Sequence, residues 1–320
     1  MTDTVTRMAP GEAAGAETLP GWAMTVTEPA GGPDRPFDLL FVHGMASGGW
    51  IWDEAWLSAF ARAGYRSWTI TLPGRRGGGA AAATAETMDR VLQLAFTRGD
   101  GQAALSLLAQ SFPLLPDLEG PRLEDFAAAI GTALERIGRP TAVVAHSLGG
   151  AALQTLLRQG TRPAATVLLA SVPPYGLWRA SMQMAWLDPA LYLALMDFTV
   201  AGLHPGNVDI MRAALFPQGI ADRDFDALVP KLSEESLSAM TRALGFPPFA
   251  PLPGPRPDLM VIGGALDRLV PVADSWATAA YYGGLPRIIP ETGHVLMMGP
   301  TAPRTAAAIL DFLETRQARG

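Results

Sequence analysis

Short runs of β-branched and apolar residues, bounded by Gly and Pro, alternate along the chain with longer stretches whose apolar positions lie three or four apart. Six such runs predict strands: Phe37 to Val42, Ser67 to Leu72, Thr141 to Ala145, Ala165 to Ala170, Leu259 to Ile262 and Arg287 to Pro290. They are continuous rather than alternating, as strands buried on both faces of a mainly parallel sheet are. Between them, Leu123, Phe126, Ile130, Leu134 and Ile137 form one apolar stripe and predict an amphipathic helix over Leu123 to Ile137. Gly138 is placed to end it and Pro140 opens the approach to the next strand. This repetition predicts an α/β fold, a doubly wound and mainly parallel sheet.

Two stretches break the rhythm. The run Gly77 to Ala83 is low in complexity, and the gap from there to Leu123 is too long for a bare loop, which predicts extra helix around Met88 to Phe96 and Ala103 to Leu108. Between Tyr175 and Phe246 lie many closely spaced apolar residues, among them Trp178, Met182, Trp186, Leu195 and Phe198, with no strand pattern; this reads as a helical insertion over residues 175–246. Residues 1–20 are rich in Ala, Gly, Glu and Thr without a period and read as a mobile leader, so the core is expected over 21–174 and 247–320. The chain shows no internal repeat.

Composition then excludes several kinds of chemistry. The 320 residues are 49% hydrophobic and 17% charged, enough apolar side chains to build a core. A net charge of −6 and a pI near 5.3 argue against a nucleic-acid partner, which needs a basic face. Cysteine is absent, which removes disulfides, thiolate metal sites and cysteine nucleophiles. The four histidines are scattered without metal-ligand spacing, and no phosphate-loop or dinucleotide glycine pattern occurs, so neither metal nor cofactor is expected. No run of 18 apolar residues predicts a membrane span, and the first 20 residues lack the pattern of a secretory signal; a cytoplasmic location is the expectation.

The most informative segment is Thr141-Ala-Val-Val-Ala-His-Ser-Leu-Gly-Gly150, a buried strand running into a serine flanked by small residues and then into a helical stretch. A serine before Gly-Gly also fits a helix N-cap. The strand, turn and helix context instead suits a nucleophile elbow, which lifts the hydroxyl of Ser147 out of the sheet edge and aims the Leu148 N–H at the reacting centre. Such a serine needs a base to take its proton and an acid to orient that base. In a doubly wound sheet both belong beyond the carboxyl ends of later strands. Asp267 follows the strand Leu259 to Ile262 within a short loop, whereas Asp258 lies at the wrong end of it; His294 lies just past the strand Arg287 to Pro290. The order Ser147, Asp267, His294 is the one the elbow predicts.

With these residues in order, the sequence resembles the α/β-hydrolase superfamily in its capped, esterase-like branch, from about Trp22 to the C-terminal helix. A further motif, Phe41-Val-His-Gly-Met45 followed by Gly48-Gly49-Trp50, is similar to the family's HG loop. The resemblance implies that the Met45 amide joins that of Leu148 in an oxyanion hole and that the insertion after the sixth strand is a cap over the nucleophile. Ala145 stands where the family has its first elbow glycine, and Thr71-Leu-Pro-Gly-Arg-Arg76 departs from the family's usual loop after the fourth strand. His43 is expected to orient the HG loop. His146, adjacent to Ser147 on an extended strand, points away from the base position and is placed with the pocket wall. His204 reads as a loop residue of the cap.

The expected activity is cleavage of a carboxylic ester, thioester or lactone through an acyl-enzyme. A C–C bond hydrolase or cofactor-independent lyase is the alternative, and a ligand receptor on the same fold is a third reading. The expected partner is a small hydrophobic ester-like substrate. Trp50, His146, Pro174, Trp178, Met182, Trp186 and Met298 are the candidate substrate contacts, since adaptable methionines and aromatic rings suit an apolar acyl or aromatic group.

Overall fold

In the computed structural model, residues 17–19, 22–73, 120–233 and 235–317 are described, with isolated positions between 90 and 103. Among the described residues, eight strands form one sheet: β1 (Glu17–Leu19), β2 (Trp22–Thr27), β3 (Asp38–Val42), β4 (Ser67–Thr71), β5 (Thr141–His146), β6 (Ala165–Leu169), β7 (Leu259–Gly264) and β8 (Arg287–Ile289). Their order is β1-β2-β4-β3-β5-β6-β7-β8. The six strands from β3 to β8 are parallel, and β2 is antiparallel to both of its neighbours.

Successive side chains on a strand face opposite ways, and here both sides are core. Leu39, Phe41, Val144 and Val167 enter one apolar cluster with α1 (Glu54–Arg62) and α10 (Ala302–Gln317). Leu40, Val42, Val143 and Leu168 enter the other with α2 (Leu123–Ile137) and α3 (Ser147–Arg158). This double burial is why the central strands read as unbroken apolar runs. The α2 stripe is buried as expected, and Gly138 ends the helix in the left-handed region at φ 63°. Phe41, Trp52, Trp56 and Phe60 pack in tilted and edge-on pairs with ring centroids 5.0 to 6.2 Å apart, tying the end of β3 to α1 and framing the loop between them.

All six expected strands are present, and two more precede them. Residues 17–19, read from sequence as part of a leader, form β1 at the sheet edge. In β2, Met24 and Val26 are buried while Ala23, Thr25 and Thr27 are half-buried, the alternation of a strand with one solvated face. A search for continuous apolar runs passes over such a pattern. Residues 1–16, the Gly77 to Ala83 run and the two extra helices expected after it lie outside the described residues, isolated positions aside.

Between β6 and β7 lie α4 (Trp178–Leu187), α5 (Pro189–Ala201), α6 (Val208–Leu215), α7 (Asp222–Leu228), a 3-10 turn (Val229–Lys231) and α8 (Leu237–Ala243). Asp188 starts α5 by accepting from the Leu191 N–H at 3.3 Å, with Pro189 at the first helical position. Buried Leu191, Phe198, Met211 and Phe225 join the α1 and α10 cluster, so these helices share the core. Side chains pin them further. Tyr175 and Arg179 both donate to Asp274 in α9 (Val272–Tyr281), and Arg268 pairs with Asp188.

Candidate active site

Ser147 is the first residue of α3 and sits at φ 50°, a left-handed backbone that a non-glycine residue adopts at a cost of about 1–3 kcal/mol. The turn is held by close approaches on both sides. A Cβ at Gly149 would lie 2.2 Å from the His43 carbonyl oxygen, and one at Gly150 would lie 2.1 Å from the Ser171 hydroxyl. Glycine there lets α3 start against the end of β3, which brings the loop carrying Met45 beside the serine.

The loops after β7 and β8 converge on that hydroxyl. His294 Nε2 is 2.9 Å from Ser147 Oγ, and His294 Nδ1 is 2.8 Å from Asp267 Oδ2. The other carboxylate oxygen, Oδ1, accepts the Leu269 and Val270 N–H groups, each at 2.9 Å. All three residues are buried. An aspartate so anchored keeps the proton on Nδ1 and leaves the Nε2 lone pair to the serine.

His146 lies behind this array. Its Nε2–H donates to the His294 carbonyl oxygen at 3.0 Å, and the two rings stand 4.8 Å apart. Burial, then the neighbouring His294, pushes its pKa from 6.5 down to about 3, against the weaker pull of the carbonyl bond. His146 is therefore a neutral spacer that fixes the His294 backbone and cannot act as the base. The unfolded chain binds a proton below about pH 6.5 that the folded protein refuses. The stabilisation is thus complete above that pH and declines on acidification by about 1.4 kcal/mol per pH unit until pH nears 3. Between pH 7 and pH 5 the wild type is expected to lose about 2 kcal/mol more than His146→Gln. Urea unfolding at both pH values measures this, and equal losses would show that His146 is charged in the fold.

The HG loop is built from its backbone. Leu72 N–H donates to His43 Nε2 at 2.9 Å, so Nδ1 carries the proton and donates to the Gly44 carbonyl at 2.7 Å. Ser47 Oγ donates to the same oxygen at 3.2 Å. Because the peptide is planar and trans, the Met45 N–H points away from that anchor. Leu148 is buried in the first turn of α3, where backbone N–H groups have no partner within the helix. His43 thus orients the loop, as its position in the sequence implies.

A cavity of about 40 Å³ opens onto Ser147 and His294. His146 and Met45 line it, and much of its wall comes from the helices between β6 and β7: Leu195, Phe198, Leu215, Phe216, Leu228 and Leu232. The other expected contacts are elsewhere. Trp178, Met182 and Trp186 repeat every fourth residue along the outer face of α4 and are 46%, 65% and 86% exposed, while Ala180 and Met184 face inward. Periodicity shows that they share a face but not which way it looks. Pro174 is buried away from the cavity, and Met298 packs on the core cluster. Trp50 instead lies under Lys231, with the ammonium 5.8 Å from its ring. Trp186→Ser is expected to alter stability by no more than about 0.5 kcal/mol and to leave substrate preference unchanged. Phe198→Ala should widen the cavity and admit bulkier ligands. Urea unfolding and the size of ligand that each variant admits check both.

Sequence reasoning missed two residues that tie the insertion to this site. Gln218 accepts from the Gly293 N–H at 2.8 Å and donates to the Val295 carbonyl at 3.3 Å, bracketing His294. Glu235 reaches the HG loop, accepting from the Ala46 N–H at 2.9 Å. Neither belongs to a motif, and an acidic pair before a helix reads as solvated surface. His204 is held by Asp197 at 2.6 Å, within the insertion. Among the described residues, no three His, Asp or Glu side chains gather as a metal site, and no helix is long and apolar enough to cross a membrane.

The sequence profile described as "Alpha/beta hydrolase family" matches residues 39–308. No curated protein matches the sequence. Among solved structures, an alpha/beta hydrolase fold protein from Burkholderia ambifaria is similar with a TM-score of 0.57 at 18% identity, covering 96% of this chain and 99% of that one. A bromoperoxidase from Bacillus anthracis gives 0.56 at 15% identity, with 98% and 100% covered. The esterase RhEst1 from Rhodococcus sp. ECU1013 gives 0.54 at 15% identity, with 92% and 94% covered. At these identities the likeness is one of fold.

Proposed function

The chain belongs to the α/β-hydrolase family, and from that premise we infer that it is a serine hydrolase cleaving a carboxylic ester, thioester or lactone with an apolar or aromatic acyl group. The observation that carries this reading is the buried relay of Ser147 Oγ, His294 and Asp267 at 2.9 and 2.8 Å. His294 takes the serine proton as Oγ attacks the carbonyl carbon. The oxygen of the tetrahedral intermediate rests on the Met45 and Leu148 N–H groups, each such donor being worth about 3–4 kcal/mol. Collapse expels the leaving group with the proton from His294, and the same imidazole then activates water to release the acid. Residues 175–246 act as a cap whose apolar side chains receive the acyl group. Action in the cytoplasm is part of the proposal, resting on the sequence pattern alone.

The test is hydrolysis of p-nitrophenyl esters from short to long chain, alongside labelling by a fluorophosphonate. Turnover with label on Ser147 supports the reading, and the chain-length optimum measures the pocket. Label without ester turnover would move the assignment to C–C bond cleavage or lyase chemistry. Absence of both would overturn the serine mechanism.

A further inference from the structure

Glu235 lies between the 3-10 turn at Val229–Lys231 and α8, and is buried. Its side chain leaves the inserted helices for the HG loop. Oε2 accepts from the Ala46 N–H and Oε1 from the Ser236 N–H, both at 2.9 Å. Two residues earlier the Ser233 N–H donates to the Ala46 carbonyl at 3.0 Å, and the Glu235 N–H donates to the Thr199 carbonyl in α5 at 2.9 Å. One short segment thus bonds both faces of Ala46, a fully buried residue at φ 55°. Such a backbone persists only where its surroundings hold it.

The peptides on either side of Met45 are consequently clamped from different parts of the molecule. His43 and Ser47 hold the Gly44–Met45 peptide from the core. Glu235 holds the Met45–Ala46 peptide from the insertion, through a charge-assisted bond of the stronger kind. The volume of the cavity makes that division matter. About 40 Å³ is far below the roughly 300 Å³ or more of ordinary ligand pockets, so the cavity wall, much of it supplied by the insertion, has to give for an acyl group and its leaving group to enter. The Glu235 segment is itself tied to the core: the next residue, Ser236, donates from Oγ to the Pro121 carbonyl at 2.7 Å, and Ala239 and Ala243 of α8 are buried in the cluster that contains α2.

Resting on the serine-hydrolase reading above, we propose that Glu235 is a positioning residue for the oxyanion donor: its carboxylate fixes the Met45–Ala46 peptide and so keeps the Met45 N–H, whose own peptide His43 and Ser47 hold, aligned with the reacting oxygen.

The test compares a trifluoromethyl ketone, which adds Ser147 and places an oxyanion in the hole, with the matching secondary alcohol, which does not. Glu235→Ala is expected to lower kcat by about 10- to 100-fold, below the full loss of one donor, with KM changed by less than about threefold. It should weaken the ketone by the same factor and leave the alcohol unchanged. Glu235→Gln, of the same size, accepts from only one of the two N–H groups and should fall between, with a ketone-to-alcohol affinity ratio at least about threefold below wild type. If the alanine variant does not fold, the glutamine variant carries the test. A ratio unchanged in the folded variants, or equal loss for both ligands, would overturn the proposal while wild-type esterase activity and fluorophosphonate labelling stood. Failure of the wild type to take the label would overturn the serine mechanism and this inference with it.

Discussion

Ser147→Ala is expected to lower kcat for the best p-nitrophenyl ester by about 10⁴-fold or more, with the melting temperature moved by no more than about 3 °C. The two halves of this expectation have separate physical origins. Ser147 sits at φ 50° because β5 must turn into α3 there, and alanine carries the same Cβ and meets the same backbone cost. What is removed is the hydroxyl, whose bond in the fold is to His294 Nε2 at 2.9 Å. Losing one such hydrogen bond costs about 1 kcal/mol of stability, against a loss of about 5.5 kcal/mol in transition-state stabilisation for 10⁴ in rate. Turnover kinetics and thermal melts on the same preparation separate the two effects. A variant keeping near wild-type turnover would remove Ser147 from the chemistry.

The reading of Ser147 needed nothing beyond the chain, because the elbow is local: strand, turn and helix are contiguous, and Gly149 records in sequence the need for close approach to β3. That Asp267 and His294 come within hydrogen-bond reach of each other and of Ser147 was legible for a related reason. Each directly follows a strand, and strand ends in a parallel sheet gather at one edge. Residues whose role depends on the direction of a face were not legible. The aromatic stripe on α4 has the same period whether it looks into the cavity or into solvent, and only the packing of Ala180 and Met184 decides it. β2 escaped notice because it is half-solvated and alternates. Glu235 left no signal, since its partner is a backbone N–H 189 residues away and backbone amides have no sequence identity.

Asp267→Asn should lower kcat by about 10⁴-fold while the protein stays folded. The asparagine has two orientations to choose from. With its oxygen kept toward the Leu269 and Val270 N–H groups, the amide NH₂ faces His294 Nδ1. The imidazole can then meet it only as the tautomer protonated on Nε2, which donates to Ser147 and has no lone pair for the serine proton. The opposite orientation preserves the catalytic tautomer but turns an NH₂ toward two buried N–H donors, at about 1–3 kcal/mol for each donor left unsatisfied. One misplaced imidazole proton costs the fold less than two orphaned amides, so the inactive tautomer prevails. Fluorophosphonate labelling of Ser147 should slow together with turnover, since both require proton transfer to Nε2. Turnover within about tenfold of wild type would instead place the orienting acid elsewhere. Asp188, a carboxylate of the insertion beside this loop, is held by Arg268 and the Leu191 N–H, and Asp188→Asn is expected to leave the rate unchanged.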